Sequence, residues 1–411
     1  MCVTSFESVI QPLQPDDFFQ KYWEKSPLVI SRNASDYYSG LFSLQDLGTL
    51  IWSTKPPWGS VQLANNNRKE GWVDYTTQVP SIDRLAKAYA QGDTIVLNDL
   101  QLRWKPLALL CRNFEALFNF VTNGNMYLTP KGTQGLAPHF DTQNVFILQI
   151  QGSKNWRLYD SWMKLPLDEM AQDLPFDYAG ETSLSVKLQA GDMLYIPRGM
   201  VHEALTTDEF SMHVTIGVNV LSWKTLLESL LQLASEQDVE FRKALPIGFA
   251  NSSKVLPHLH TQVEALLKQL LKNVSIEEAV ECLAKRVMDT MQVLPDGIYF
   301  HTPKVEMLSL DTVVKKREGM FCQVFRTQDS VRLQFPGGSA VTGPQILEPA
   351  FCFMVNSDKF AINEIPNSLS DNGKVVLAHR LINEGLLTIV SSDAYKSEAL
   401  DTLEEQAKKE L

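Results

Sequence analysis

Polar and apolar positions alternate along this chain with two different periods, and the changes of period mark its parts. Between residues 15 and 121, helix-like and strand-like stretches are interleaved. Residues 15–25 read as a short helix with Asp16 and Asp17 in its first turn, where the helix dipole favours them; Ser26-Pro27 ends it before the strand Leu28-Val29-Ile30. Further helices are predicted over 43–54, over 82–90 behind the N-cap Ser81, and over 107–121, with strands at 60–64, 72–75 and 94–97. From Asn125 a period of two takes over. Strands are predicted at 125–129, 145–150 and 154–159, the last two paired as a hairpin through Gln151-Gly152-Ser153. After an irregular insert over 161–180 follow strands at 183–187, 192–196, 201–206 and 210–220. Short strands broken by Gly and Pro predict a small sandwich or barrel such as a jelly roll.

The period changes again at Ser222. Trp223, Leu226, Leu227, Leu230, Leu231 and Ala234 recur at helical spacing, as do Leu259, Val263, Leu266, Leu267 and Leu270. Ser275-Ile276-Glu277-Glu278 has the form of a capping box opening a third helix to about Met288. Helices with such faces need a partner surface, either the strand-rich part or a second subunit. Beyond Pro295 the texture is mixed. A hairpin is predicted over 322–326 and 330–335, helices over 345–355 and 370–383 with Gly385 as the stop, a strand over 386–390, and a fraying acidic helix over 401–411. Helix, helix, strand fits a winged-helix-like module. The predicted architecture is α+β in three parts: a catalytic domain over 1–220, a helical segment over 221–292 and a winged-helix-like domain over 293–411.

Composition narrows the function. Apolar residues make up 44% and charged residues 21% of the 411, ordinary for a globular protein. A formal net charge of −11 gives no reason to expect DNA or an anionic membrane as partner. The five cysteines (Cys2, Cys111, Cys282, Cys322, Cys352) are scattered without a CxxC pair, so neither a zinc ribbon nor a disulfide framework is predicted. The N-terminus has neither a basic region nor an apolar core of the signal-peptide kind, and the expected location is cytoplasmic.

Candidate chemistry is concentrated in Leu136-Ala137-Pro138-His139-Phe140-Asp141 and in Gly191-Asp192-Met193-Leu194-Tyr195-Ile196-Pro197-Arg198-Gly199-Met200-Val201-His202. On a strand His139 and Asp141 would share a face. Of the seven histidines, His258, His260, His301 and His379 lie outside the strand-rich part, leaving His202 and His213 as candidates for a third ligand. His202 is favoured, because the Gly-Asp…Pro-Arg-Gly turn positions its strand. Two imidazoles and a carboxylate on one face make the triad of a non-haem Fe(II) oxygenase, with positions left for an α-keto acid and dioxygen. A cosubstrate such as 2-oxoglutarate has a second carboxylate that needs its own cation, and Lys154 is the candidate.

Those motifs, continued by Asn144-Val145-Phe146-Ile147-Leu148-Gln149-Ile150-Gln151-Gly152-Ser153-Lys154-Asn155-Trp156-Arg157-Leu158-Tyr159, resemble the JmjC-type ribosomal oxygenases, the cupin-4 group. The stretch Phe19…Tyr22-Trp23-Glu24-Lys25-Ser26-Pro27-Leu28 is similar to that family's opening. The resemblance covers about residues 16–220 and implies a double-stranded β-helix (JmjC, cupin) catalytic domain. It implies Fe(II)-, 2-oxoglutarate- and O2-dependent hydroxylation of a protein side chain, with His or Arg of a ribosomal protein as the family expectation. It places His139, Asp141 and His202 as iron ligands, and Lys154, Asn125, Tyr127 and Thr215 around the cosubstrate. It also implies that the helical segment forms a homodimer. The sequence departs from the family where relatives often carry two acidic residues after the HxD, since Thr142, Gln143 and Asn144 are neutral; Gly217 stands where relatives can have Ser. The rival readings are a JmjC-type lysine demethylase and a non-oxygenase metal-binding cupin.

Overall fold

The computed structural model describes residues 3–54, 60–66, 72–74, 82–175, 178, 180–250, 255–294, 304–326 and 329–390. They form two compact units that divide between Leu221 and Ser222. Ser81, Tyr75, His301 and the 401–411 helix predicted from sequence lie outside the described residues.

In the first unit, α1 (Phe6–Ile10), α2 (Pro15–Lys21), β1 (Leu28–Ile30), α3 (Leu44–Thr54), β2 (Val61–Ala64), β3 (Trp72–Asp74), α4 (Ile82–Ala90), β4 (Thr94–Leu97) and α5 (Lys105–Phe118) precede the strand-rich part. There follow β5 (Val121–Thr129), β6 (Asn144–Ser161), β7 (Thr182–Gln189), β8 (Met193–Ile196), β9 (Met200–Leu205) and β10 (Ser211–Asn219). The ten strands run β1-β8-β6-β10-β5-β4-β2-β3, with β7 and β9 added on β6, and their pairings are antiparallel.

Strand β6 is the spine, and its sequence shows why. The run Val145-Phe146-Ile147-Leu148 is buried on both faces, as a strand covered on two sides requires. Phe146 and Leu148 join Phe6, Phe18, Phe114 and Tyr195 in the large core, packing α1, α2 and α5 against the sheet. Phe146 meets Tyr195 at a ring separation of 4.9 Å, and Phe18 meets Tyr195 at the same distance. Val145 and Ile147 point the other way, into a second core with Trp156, Leu158, Leu188, Leu194 and Ile196.

Here the structure corrects the sequence reading. Residues 145–150 and 154–159 do not pair with each other; they are the two halves of one continuous strand. The first half pairs with β8 and β10, and the second with β7 and β9. Gly152 makes the change of partner possible. It sits at φ +67°, and a Cβ there would run into the carbonyl oxygen of Phe210. The Gln-Gly-Ser signal is real, but it marks a bend between two sheet partners rather than a reversal.

The second unit holds α6 (Trp223–Gln237), α7 (Leu256–Asn273), α8 (Ile276–Thr290), β11 (Val313–Lys316), β12 (Gln323–Arg326), β13 (Ser330–Gln334), β14 (Ala340–Pro344), α9 (Glu348–Asn356), β15 (Lys359–Ala361), α10 (Asp371–Asn383) and β16 (Leu387–Ile389). Ser222 and Ser275 cap α6 and α8 through their side chains, and Ser370 caps α10. Two three-stranded sheets, β15-β11-β16 and β12-β13-β14, share a core with α9 and α10. Among the described residues no helix is long and apolar enough to cross a membrane.

Candidate functional site

His139 and His202 come together through the backbone. The two residues form an isolated antiparallel bridge, His139 N–H to the His202 carbonyl at 3.1 Å and His202 N–H to the His139 carbonyl at 2.8 Å. His139 and Asp141 therefore meet His202 by this bridge and a following loop rather than as neighbours on a regular strand, which differs from the reason read in the sequence. Gly199 completes the tie. At φ +84° its N–H donates to the Asp141 carbonyl at 2.8 Å, so the turn before the second histidine fixes the backbone of the carboxylate ligand.

Side-chain geometry converges on one point. The ligand atoms of His139, Asp141 and His202 all lie within 4.8 Å of one another, and His202 Nε2 stands 3.5 Å from Asp141 Oδ2. Nδ1 of His139 faces the Ala137 carbonyl at 2.8 Å, and Nδ1 of His202 faces the Met200 carbonyl at 3.1 Å. A carbonyl can only accept, so in the neutral rings both Nδ1 atoms carry the proton and both Nε2 lone pairs are left for a metal. Burial, helped by the neighbouring His139, lowers the His202 imidazole to about 4, keeping it the neutral ligand that a cation requires. Two neutral nitrogens and one carboxylate suit a divalent ion such as Fe(II).

The triad opens into a cavity lined also by Asn125, Tyr127, Gln143, Lys154, Trp156, His213, Thr215 and Gly217. Every residue the sequence reading assigned to the site is thus on one cavity wall or another. Lys154 is 5% exposed, and its Nζ donates to Thr129 Oγ1 at 3.0 Å. Among the described residues no carboxylate is paired with it, and burial lowers its amino group to about 7. Burial, with the Asp141 charge adding, pushes the Tyr127 phenol above its usual range, so it stays neutral. Asn125 and Thr215 face each other across the β5–β10 pairing.

His213, the alternative third ligand, lines the cavity but is not part of the metal cluster. Its ring stacks on Tyr127 with centroids 4.9 Å apart and meets Trp156 edge-on at 5.5 Å. Burial first, then Lys154, holds it uncharged. Sequence reasoning did not single out Thr129 or Trp156 as part of the site, and it met Gln143 only as a neutral position after the HxD. Tyr127 and Thr215 were placed by the family resemblance; the period of two along β5 that sets Asn125 and Tyr127 on one face reaches Thr129 as well.

Residues 101–226 match the JmjC domain family. The chain is 34% identical to ribosomal oxygenase 1 of Danio rerio over 304 residues, 68% of this chain and 55% of that protein. It is 30% identical to the bifunctional lysine-specific demethylase and histidyl-hydroxylase NO66 of Drosophila erecta over 355 residues, 80% of this chain and 53% of that one. The chain spans about half the length of these curated relatives. Among solved structures, Escherichia coli ycfD superposes with a TM-score of 0.62 at 19% identity, covering 92% of this chain and 98% of that one. The same protein, described as a ribosomal oxygenase in complex with cobalt and 2-oxoglutarate, superposes with a TM-score of 0.61. With its bridged histidines, its carboxylate and these matches, the chain belongs to the JmjC-domain ribosomal oxygenase family.

Proposed function

We propose that the protein is an Fe(II)- and 2-oxoglutarate-dependent oxygenase that hydroxylates a side chain of another protein. One observation carries this reading: a triad fit for a divalent metal shares its cavity with a buried lysine that has no carboxylate partner among the described residues. A buried ammonium group costs free energy unless an anion meets it. A metal-binding cupin without a dicarboxylate cosubstrate has no use for that arrangement. His139, Asp141 and His202 would hold Fe(II), and Lys154 with Thr129 would receive the distal carboxylate of 2-oxoglutarate, with Asn125, Tyr127 and Thr215 beside it. Bound Fe(II) supplies the oxidative chemistry, in which O2 and 2-oxoglutarate give succinate and CO2 while one oxygen atom enters a substrate C–H bond. The chain's own part is to keep the His202 imidazole neutral, to aim the Nε2 atoms of both histidines through the carbonyls that face their Nδ1 atoms, and to exclude water with Val145, Ile147 and Trp156.

The target we infer is His or Arg of a ribosomal protein; the relatives named ribosomal oxygenase and histidyl-hydroxylase support a ribosomal target and the histidine. Lysine demethylation is the weaker reading. A methyl-lysine cage needs open aromatic faces, and here Tyr127 is already stacked on His213. The same proposal takes the first unit as a jelly-roll catalytic domain over 1–220, residues 221–292 as a homodimerisation segment, and residues 293–411 as a winged-helix-like domain. Ribosomal proteins incubated with the protein, Fe(II), ascorbate and 2-oxoglutarate should gain the mass of one oxygen at a single residue. Loss of methyl groups from lysine, with no oxygen gained, would instead favour the demethylase.

A further inference from the structure

Two residues that line the cavity, Thr94 and Gly135, have no part in the metal centre, and they touch each other across it. Thr94 belongs to β4, ahead of the residues matched to the JmjC domain, and Gly135 to the segment that leads to His139. A Cβ on residue 135 would lie 2.5 Å from Thr94 Oγ1 and 3.0 Å from Thr94 Cβ, so the glycine backbone already rests against the threonine side chain. Close approach, rather than a left-handed backbone, is what calls for glycine here. Thr94 is 1% exposed, and its branched side chain has little freedom to swing aside.

This contact closes the Lys154 end of the cavity. His202 is the register partner of Leu158 on β6, and Lys154 lies four residues back along that strand, roughly 13 Å at the rise of a β-strand. Ile95 pairs with Leu128, which brings Thr94 beside Thr129. Thr129 Oγ1 accepts from Lys154 Nζ at 3.0 Å and from the Thr94 hydroxyl at 3.2 Å, so Thr94 stands two hydrogen bonds from the amine. Two residues along β5 from Thr129, Tyr127 is close enough to Asp141 to feel its charge, which puts the triad in that direction. The order along the cavity is therefore triad, Lys154, and then the wall made by Thr94 and Gly135.

We propose that Thr94, backed by Gly135, is the end stop of the cosubstrate site and sets the length of the 2-oxo dicarboxylate that the protein accepts. The inference rests on the oxygenase reading and deepens it. With the metal at one end and Lys154 at the other, a single chain length satisfies both. One methylene more drives the distal carboxylate into the Thr94 side chain. One methylene fewer leaves the buried amine without its anion.

Calorimetric titration of the full chain loaded with Mn(II) tests this with 2-oxoglutarate, with oxaloacetate, one methylene shorter, and with 2-oxoadipate, one methylene longer. The wild type should bind 2-oxoglutarate at least about tenfold more tightly than either, the scale on which a pocket reads one methylene. Thr94→Ala should raise the affinity for 2-oxoadipate relative to 2-oxoglutarate by about tenfold or more. Thr94→Val keeps the bulk of the stop and loses the hydroxyl bond to Thr129, so its ratio should stay within about twofold of the wild type's. Gly135→Ala adds a methyl to the same wall and should weaken 2-oxoglutarate more than oxaloacetate, an independent check should Thr94→Ala fail to fold. An unchanged ratio in Thr94→Ala, the same relaxation in Thr94→Val, or a wild type that binds all three acids equally overturns the proposal. A Mn(II)-loaded wild type that binds none of the three overturns the oxygenase reading itself, a distinguishable failure.

Discussion

Lys154 is a buried amine in the cavity, and its titration gives a prediction with a definite sign. Its amino group falls from 10.5 to about 7 on burial, so between those values the folded, ligand-free protein binds fewer protons than the unfolded chain. Stability of the ligand-free protein should therefore rise with pH through that window. A carboxylate placed beside Nζ favours the charged form, so 2-oxoglutarate binding takes up a proton above about pH 7. Affinity for 2-oxoglutarate should weaken as the pH rises from 7, by up to about tenfold per unit. Calorimetric titration of the Mn(II)-loaded protein between pH 7 and 9 measures this. Lys154→Ala should bind 2-oxoglutarate much more weakly and lose the pH dependence; a flat profile for the wild type would remove Lys154 from the cosubstrate site. Much of the site could be read from the sequence at this scale, because a histidine, a carboxylate and a lysine declare their chemistry by type. Gln143 was legible only as a neutral position after the HxD; its place beside Gly217 was not, because the two lie far apart along the chain.

At the scale of elements, glycines decide how the strands meet. The run Gln151-Gly152-Ser153 has the local signature of a hairpin turn, yet the apolar residues of Val145 to Leu148 are buried on both faces, and a continuous strand with four partners buries them better. Turn propensity is local, while the choice of partner is settled by tertiary packing. Gly199 shows the same dependence at the metal centre. A Cβ there would strike the Met163 carbonyl oxygen, a backbone atom with little room to yield, and φ is already +84°. Gly199→Ala should cost at least about 2 kcal/mol of stability, and it should weaken metal binding because Gly199 N–H anchors Asp141. Urea unfolding and Mn(II) titration of the variant check both effects; an unchanged midpoint would mean that the turn relaxes without cost. The strands flanking this turn were legible as short strands broken by Gly and Pro. The bridge between His139 and His202 was not, since it joins two segments with no periodic signal in common.

At the scale of the whole molecule, the helices of the second unit carry more apolar surface than their own core uses. Of the stripe read from the spacing, Leu226, Leu230 and Ala234 of α6 pack inward, joined by Leu233, Leu270 and Ala279. Trp223, Leu227 and Leu231 form a second stripe on the same helix, with Trp223 81% exposed. Helix α7 presents Val263, Leu267 and Leu271, the last 78% exposed. Stripes of this kind on neighbouring helices mark an association surface, which supports the proposed homodimer. Sedimentation should give the mass of two chains, and Leu227→Asp with Leu267→Asp should give a folded monomer. A monomeric wild type would contradict the dimer while leaving the metal centre untouched. The helical spacing was plain in the sequence, but a stripe that is apolar all round does not say which side faces its own fold.

If His139, Asp141 and His202 hold an iron that works on 2-oxoglutarate anchored by Lys154, turnover of the cosubstrate must depend on both the triad and the lysine. Succinate formation from 2-oxoglutarate, with Fe(II) and ascorbate in air, tests it most directly when the wild type is compared with His139→Ala and Lys154→Ala at saturating and limiting cosubstrate. The wild type should produce succinate, His139→Ala should produce none at any concentration, and Lys154→Ala should recover only as 2-oxoglutarate is raised. Equal succinate formation by the wild type and His139→Ala, or none by the wild type, would contradict it.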